Sequence, residues 1–353
     1  MSIRAISPAA LAACLLVSIG IPAIAGAPTA YQVTRLVSNQ EGVAQNTDPD
    51  LVNSWGIAHS ATGPLWVSDN GTDKSTLYDR VTGAKQDLTV AIPHGAPTGI
   101  AFVHDQDGST DDFPITANGT TASSVFVFAT ESGFIEGWNP SVDLNNAVVA
   151  VDRSGEGAAF KGLDVAQDRE RLYAADFVNN RVLIFDDQFN QVGSFTDPEL
   201  PKRFAPFNVA VIHGAIFVSF AKRERDGIDN VNGNGLGYVD VFSGNGKLKQ
   251  RLIANGPLNA PWGMTIAPDG FGAFSGALLV GNFGDGKINA FDPTTGDFLG
   301  TLSRPNGRAL RIDGLWALDG NRDGTVTFSA GPDDEANGLI GKISVAGTAI
   351  AKK

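Results

Sequence analysis

Acidic and amide side chains recur in this chain at the ends of short apolar runs. Asp69 and Asn70 follow Leu65 to Ser68, Glu131 follows Val125 to Thr130, and Asp176 follows Leu172 to Ala175. Asn282 and Asp285 follow Ala277 to Gly281, and Asp334 and Glu335 follow Val326 to Ala330. A second set opens the runs that come before these: Trp55, Thr98, Lys161, Asn208, Trp262 and Asp313. Carboxylates gathered at one place can bind a divalent cation through oxygen ligands or raise one another's pKa for acid–base work. Mixed with a lysine and aromatic rings, they suit a polar ligand with apolar faces, such as a sugar. The same Asp and Asn residues cap turns by bonding nearby backbone, and the two Trp equally suit core packing. A site therefore depends on a fold that brings the two sets together.

Other chemistry is sparse. Asp319, Asn321 and Asp323, with Gly324 sixth, match the start of a calcium loop, but Ala330 stands twelfth where a bidentate Glu belongs. Asn230, Asn232 and Asn234 form a weaker amide version of the same spacing. A plain Asp/Asn/Gly turn explains both, and calcium is the divalent cation that either would take. His59 and His213 fall in turns between first and second runs, and only His94 approaches the acidic turns, too few for a zinc centre. There is no Gly-x-Ser-x-Gly elbow for a serine hydrolase.

The positioning elements follow from a repeat. In Asn259 to Pro293 an apolar run, a Gly-rich turn, a second run, a polar turn and a third run read as an antiparallel meander. Similar segments recur every few tens of residues, opening near Gly56, Gly99, Gly162, Asn208, Gly263 and Gly314. The fold expected is all-β, a six-bladed β-propeller of four-stranded antiparallel blades. The last copy has only three strands, and Tyr31 to Val37, which alternates apolar and polar residues, supplies the fourth and closes the ring. Asp105 to Ser123 and Lys222 to Gly235 are expected as surface excursions.

In a propeller the lead-in steps and the turns after second strands share one face. The ligand-binding residues expected at one mouth of the channel are Trp55, Asp69, Glu131, Lys161, Asp176, Asn208, Trp262 and Asn282, with His59 and His213 at the other. The residues Trp66-Val67-Ser68-Asp69-Asn70-Gly71, Phe128-Ala129-Thr130-Glu131, Tyr173-Ala174-Ala175-Asp176-Phe177, Ala205 to Val209, Ala260-Pro261-Trp262-Gly263, Val280 to Gly286 and Gly314 to Leu318 carry a resemblance. The chain resembles a numbered family of secreted bacterial β-propeller proteins, NHL-like and gluconolactonase-like in style, some members of which carry C-terminal sorting tails. That resemblance covers nearly all of the chain after its leader and implies the fold without an established activity. This chain ends in AGTAIAKK, with no apolar tail of that kind.

Residues 1–25 read as a secretory signal peptide: Arg4, an apolar run from Ala9 to Ile21, then small residues up to Ala27. The propeller is expected over residues 28–350, in the periplasm or outside the cell, with no membrane insertion once the leader is removed. Cys14, the single cysteine, lies in the leader, so no disulfide is expected. A formal net charge of −12 disfavours nucleic acid and anionic lipid. Two readings of function result: a monomeric binding or scaffold propeller for a small molecule, glycan or protein, and a metal-dependent hydrolase of a lactone or ester.

Overall fold

The computed structural model describes residues 29–104 and 112–347, and both the leader and Cys14 lie outside them. Six antiparallel sheets surround a channel. From inside outward, blade one runs Ser54–Ala58, Leu65–Asp69, Lys74–Tyr78 and Lys85–Ala91. The inner strands of the next blades are Pro97–Phe102, Phe160–Val165, Phe204–Ile212, Pro261–Ile266 and Leu315–Gly320. Second strands such as Leu65–Asp69 and Phe126–Thr130 are buried along their whole length, because both faces of the blade pack on neighbours. Outermost strands such as Gln191–Phe195 and Phe298–Thr301 are largely uncovered, which is why their sequences lose the continuous apolar character.

The ring closes as expected. Tyr31–Ser38 pairs antiparallel with Leu339–Val345 and becomes the fourth strand of blade six, with a short parallel addition at Asn46–Thr47. Closure matters because an unpaired edge of that length would leave a row of backbone donors and acceptors open.

The core is divided among the seams between blades. Phe160, Phe185 and Ile135 pack between blades two and three, Phe220 and Tyr173 between three and four, and Phe328 and Leu310 between five and six. Tyr78, Val67 and Ile340 fill the closing seam between six and one. Each fully buried Leu or Phe contributes roughly 1.5–3 kcal/mol, so every seam holds many such increments.

Both excursions have more structure than the sequence suggests. In the described part of the first, Pro114–Ala117 and Thr120–Ser123 form a hairpin. It buries Phe113 and Ile115, and the Phe113 amide donates to the Asp187 carbonyl of blade three at 2.5 Å. The second prolongs its strand through an Arg223 to Asn230 bridge and reaches back over the channel.

Candidate functional site

A repeated backbone irregularity builds the mouth of the channel. In every inner strand the register slips where the strand begins: between Ser54 and Ile57, Pro97 and Ile100, Phe160 and Gly162, Pro206 and Asn208, Pro261 and Met264, and Leu315 and Leu318. A bulge turns the extra side chain out of the ladder. The residues so turned are Trp55, Thr98, Lys161, Phe207, Trp262 and Trp316, one per blade. The residue after each is Gly56, Gly99, Gly162, Asn208, Gly263 or Ala317, where neighbouring blades touch. A Cβ on Gly56 would lie 2.5 Å from the Thr98 carbonyl oxygen of the next blade, and one on Gly162 would lie 2.1 Å from Asn208 Oδ1. The repeat glycines are therefore spacing elements. In blade six the equivalent is Ala317, three residues beyond Gly314.

The aromatic members of this ring close the channel. Trp55 and Trp316 stack with centroids 3.6 Å apart, and Trp262 meets both edge-on at 6.1 and 5.8 Å. Phe283 stacks on Trp316 from outside, and Phe207 and Phe177 extend the plug. Trp55 is 1% and Trp262 4% exposed, so neither ring offers a free stacking platform. Beneath the plug is a cavity of about 120 Å³ to which all blades contribute.

Above the plug lies a polar network centred on Lys161, itself 2% exposed. Its Nζ donates to Glu131 Oε1, lies 3.5 Å from Asp229 Oδ1 and sits 5.2 Å from the centre of the Trp55 ring. Asn70 Nδ2 donates to the other Glu131 oxygen at 2.9 Å. Asn53 Nδ2 donates to Asn70 Oδ1 at 3.1 Å and to Glu335 Oε2 at 2.6 Å, while Asn53 Oδ1 accepts from Trp316 Nε1 at 3.0 Å. Burial, and then the charges of Glu131 and Asp229, raise the Glu335 carboxyl above its ordinary range, against the Asn53 hydrogen bond and the Lys161 charge. The mouth is thus electronegative, with three carboxylates to one ammonium. Trp55 Nε1 is buried without a hydrogen-bond partner among the described residues.

Glu335 is placed by an unusual turn. Asp333, Asp334 and Glu335 are consecutive left-handed residues with φ of 58, 52 and 66°. Each costs about 1–2 kcal/mol for a side chain with a Cβ. Strain of this kind persists where surroundings hold it in place and gathers at functional sites.

Of the residues anticipated at the mouth, Glu131 and Lys161 form its centre, while Trp55 and Trp262 lie beneath as plug. Trp262 Nε1 donates to the Lys161 carbonyl across the channel at 2.9 Å. Asn208 is buried in the ring and donates to the Trp262 carbonyl at 3.0 Å. The remaining three are turn residues with partners of their own. Asp69 accepts from Thr76 at 2.7 Å in the interior of blade one, where burial pushes its carboxyl well up. Asp176 receives Asn179 and Arg181, and Asn282 donates to the Pro257 carbonyl and to Asp285.

Trp316, Phe207, Asn53 and Asp229 also belong to the site, although the repeat pattern does not mark them. The bulge offset could have found Trp316, since it stands to Leu318 as Trp55 stands to Ile57. Asp229 carries no repeat signal, because it arrives from an insertion.

The side chains of the calcium-like motif are occupied. Asp323 accepts from Thr325 at 2.6 Å and from Lys342 at 3.1 Å, Asn321 donates to Thr325 and Thr327, and Asp319 pairs with His59 at 3.0 Å. No cluster of three or more His, Cys, Asp or Glu with metal-holding geometry occurs among the described residues. His94 lies over Phe134 and bonds Glu136 at 2.9 Å, in blade two.

Fold and mouth together define the chain as a six-bladed β-propeller with a plugged channel. Similar architecture occurs in a streptogramin B lyase, with a TM-score of 0.51 at 14% identity over 89% of this chain and 98% of that one. It also occurs in the WD40 propeller domain of Doa1, with a TM-score of 0.51 at 10% identity over 88% of this chain and 96% of that one. At such identities the likeness is one of fold alone. No family model matches the chain. Two proteins of Acanthamoeba polyphaga mimivirus show its kinship. Uncharacterized protein R648 is 34% identical over 336 residues, 90% of this chain and 81% of that protein. Uncharacterized protein L690 is 32% identical over 330 residues, 89% of this chain and 85% of that protein. The chain belongs to the same family as these two proteins. These relatives are viral, where the sequence motifs resemble a secreted bacterial family.

Proposed function

We propose that the protein is an exported binding module whose ligand sits at the channel mouth, and that this ligand is polar and carries positive charge, as an amino sugar or polyamine does. The arrangement around Lys161 supports the reading. Carboxylates from blade two, blade six and the blade-four excursion meet one buried ammonium over a closed apolar floor. A cation approaching them meets an uncompensated negative field, and the half-exposed amide of Asn70 adds directional bonding. Export fits the leader composition, with a mature chain beginning near Gly26 or Pro28.

The hydrolase reading asks for a vacant set of oxygens that would hold a metal. Here both Glu131 oxygens are engaged, and the Lys161 ammonium lies between Glu131 and Asp229, where such an ion would go. The donor chemistry therefore favours binding.

A thermal-shift comparison tests the proposal. Deacetylated glucosamine oligosaccharides and spermidine should raise the melting temperature, and the N-acetylated oligosaccharides should not. Equal shifts from charged and neutral sugars, or none from any of them, would count against a charge-reading mouth.

A further inference from the structure

A cleft of about 600 Å³ opens on the same face beside blade six, away from the Lys161 network. Its walls are the strand Tyr31–Ser38, the segment that leads into Leu315–Gly320, and the left-handed turn that also places Glu335. The floor is apolar and buried, formed by Leu310, Ile312, Phe328 and Leu339, with half-buried Val33 beside them. Exposed Arg35, Arg304 and Arg311 stand at the rim.

These arginines are notable in a chain of net charge −12, because none forms an ion pair among the described residues. The Arg304 and Arg311 side chains donate only to backbone carbonyl oxygens, those of Arg311 at 3.3 Å and Asp285 at 3.1 Å, and the Arg35 side chain has no hydrogen bond among the described residues. The two acids of the cleft, Asp313 and Asp333, form no ion pair with them among the described residues. Asp313 accepts from the Asp333 amide at 2.9 Å, and Asp333 accepts from Asn337 at 2.8 Å. Guanidinium groups above an apolar floor of this volume are the arrangement that holds a small organic molecule by its body and orients it by its charge.

We propose that this cleft is a second site, independent of the channel mouth, for an organic anion: a carboxylate or sulfonate on an apolar body of about two fused rings. The anion would meet Arg35 and Arg311, and the body would cover Val33, Ile312 and Phe328.

The test uses a matched pair of fluorescent probes, anilinonaphthalene sulfonate and phenylnaphthylamine, which share one aromatic body and differ in the sulfonate. The parent protein should bind the sulfonate with one-to-one stoichiometry, at least about tenfold more tightly than the neutral probe. Arg35→Gln removes a side chain with no hydrogen-bond or ion-pair partner among the described residues, so it should melt like the parent. It should weaken the sulfonate about tenfold and leave the neutral probe unchanged. Val43→Trp, at the cleft wall, should abolish both, whereas Glu335→Gln should affect neither. Equal affinities for the two probes, no saturable binding, or sulfonate binding unchanged in both cleft variants would overturn the assignment. A failure of sugar binding at the mouth would leave it standing.

Discussion

Replacing Lys161 with Met isolates the interaction that holds the mouth together. The ammonium is 3% exposed in its side chain, bonded to a Glu131 carboxylate that is 16% exposed, and close to Asp229, which is 70% exposed. Removing one member of a buried pair typically costs 3–5 kcal/mol, because the other charge is left without compensation. Glu131 keeps its Asn70 bond and some solvent, so a value near the lower end, about 3 kcal/mol, is expected. Glu131→Gln removes the anion but leaves Asp229 and Glu335 to accompany Lys161, and should cost about 1–2 kcal/mol. In the double variant no stranded charge faces its partner, so the combined loss should fall short of the sum by about 1–3 kcal/mol. Urea denaturation of all four proteins at neutral pH gives the cycle, with an unchanged m-value as the check that the unfolded state is the same. Single losses that add to within about 0.5 kcal/mol would show that the pair does not join blades two and three, and the electrostatic account of the mouth would fail with it.

Three further outcomes follow from the same geometry. Gly56→Ala places a Cβ against backbone of the adjacent blade and should cost about 1–3 kcal/mol in thermal or urea unfolding; a neutral effect would refute the spacing role of the repeat glycines. Deleting residues 29–38 uncovers the edge of Leu339–Val345 and removes buried Tyr31, Leu36 and Val37; the product should aggregate or melt far below the parent, as size-exclusion chromatography and calorimetry would show. Burial, followed by the neighbouring Asp197, pushes the Asp240 carboxyl up to about 8. The unfolded chain ionises there near its ordinary 3.8 while the native chain keeps the proton, so this group lowers stability as pH rises from about 4 to about 8. Asp240→Asn should flatten that part of the pH–stability curve, and an unchanged slope would contradict the assignment.

The blade pattern was legible because each blade must bury both faces, which forces continuous apolar runs, and because five of the six inner strands admit a neighbour at one small residue, Asn208 of blade four being the exception. Those two demands made Gly56, Gly99, Gly162 and Gly263 visible as repeat markers. Blade six departs from this pattern: it uses Ala317 at this position, while the nearby Gly314 is a turn residue with φ of 60°, so Trp316 carries no glycine marker after it. The acidic turns were legible as a class. Which of them reach the mouth was not, since Asp69 and Asp176 end their strands opposite Ser54 and Phe160 and turn back to Thr76 and Arg181, whereas Glu131 stands one residue further on, where the other blades carry Asn70, Phe177 and Phe283. One residue on, successive side chains alternate in direction, and Glu131 turns into the channel to meet Lys161. The Trp rings looked available in the sequence because nothing local shows that three of them meet in the channel. The arginine cleft had no signal in the repeat, because its parts come from residues far apart in the chain and meet only through ring closure.

The measurement closest to the central claim is calorimetric titration of the parent and of Glu335→Gln with a deacetylated glucosamine oligosaccharide at low and at physiological salt. Glu335 is half-buried at the mouth, and its exchange for Gln keeps the shape while removing one of the three carboxylates. The account predicts saturable binding to the parent that weakens with salt, and an affinity about tenfold lower in the variant, as expected for one charge-assisted contact. Equal affinity in parent and variant, or binding indifferent to salt, would contradict the claim that the mouth reads positive charge.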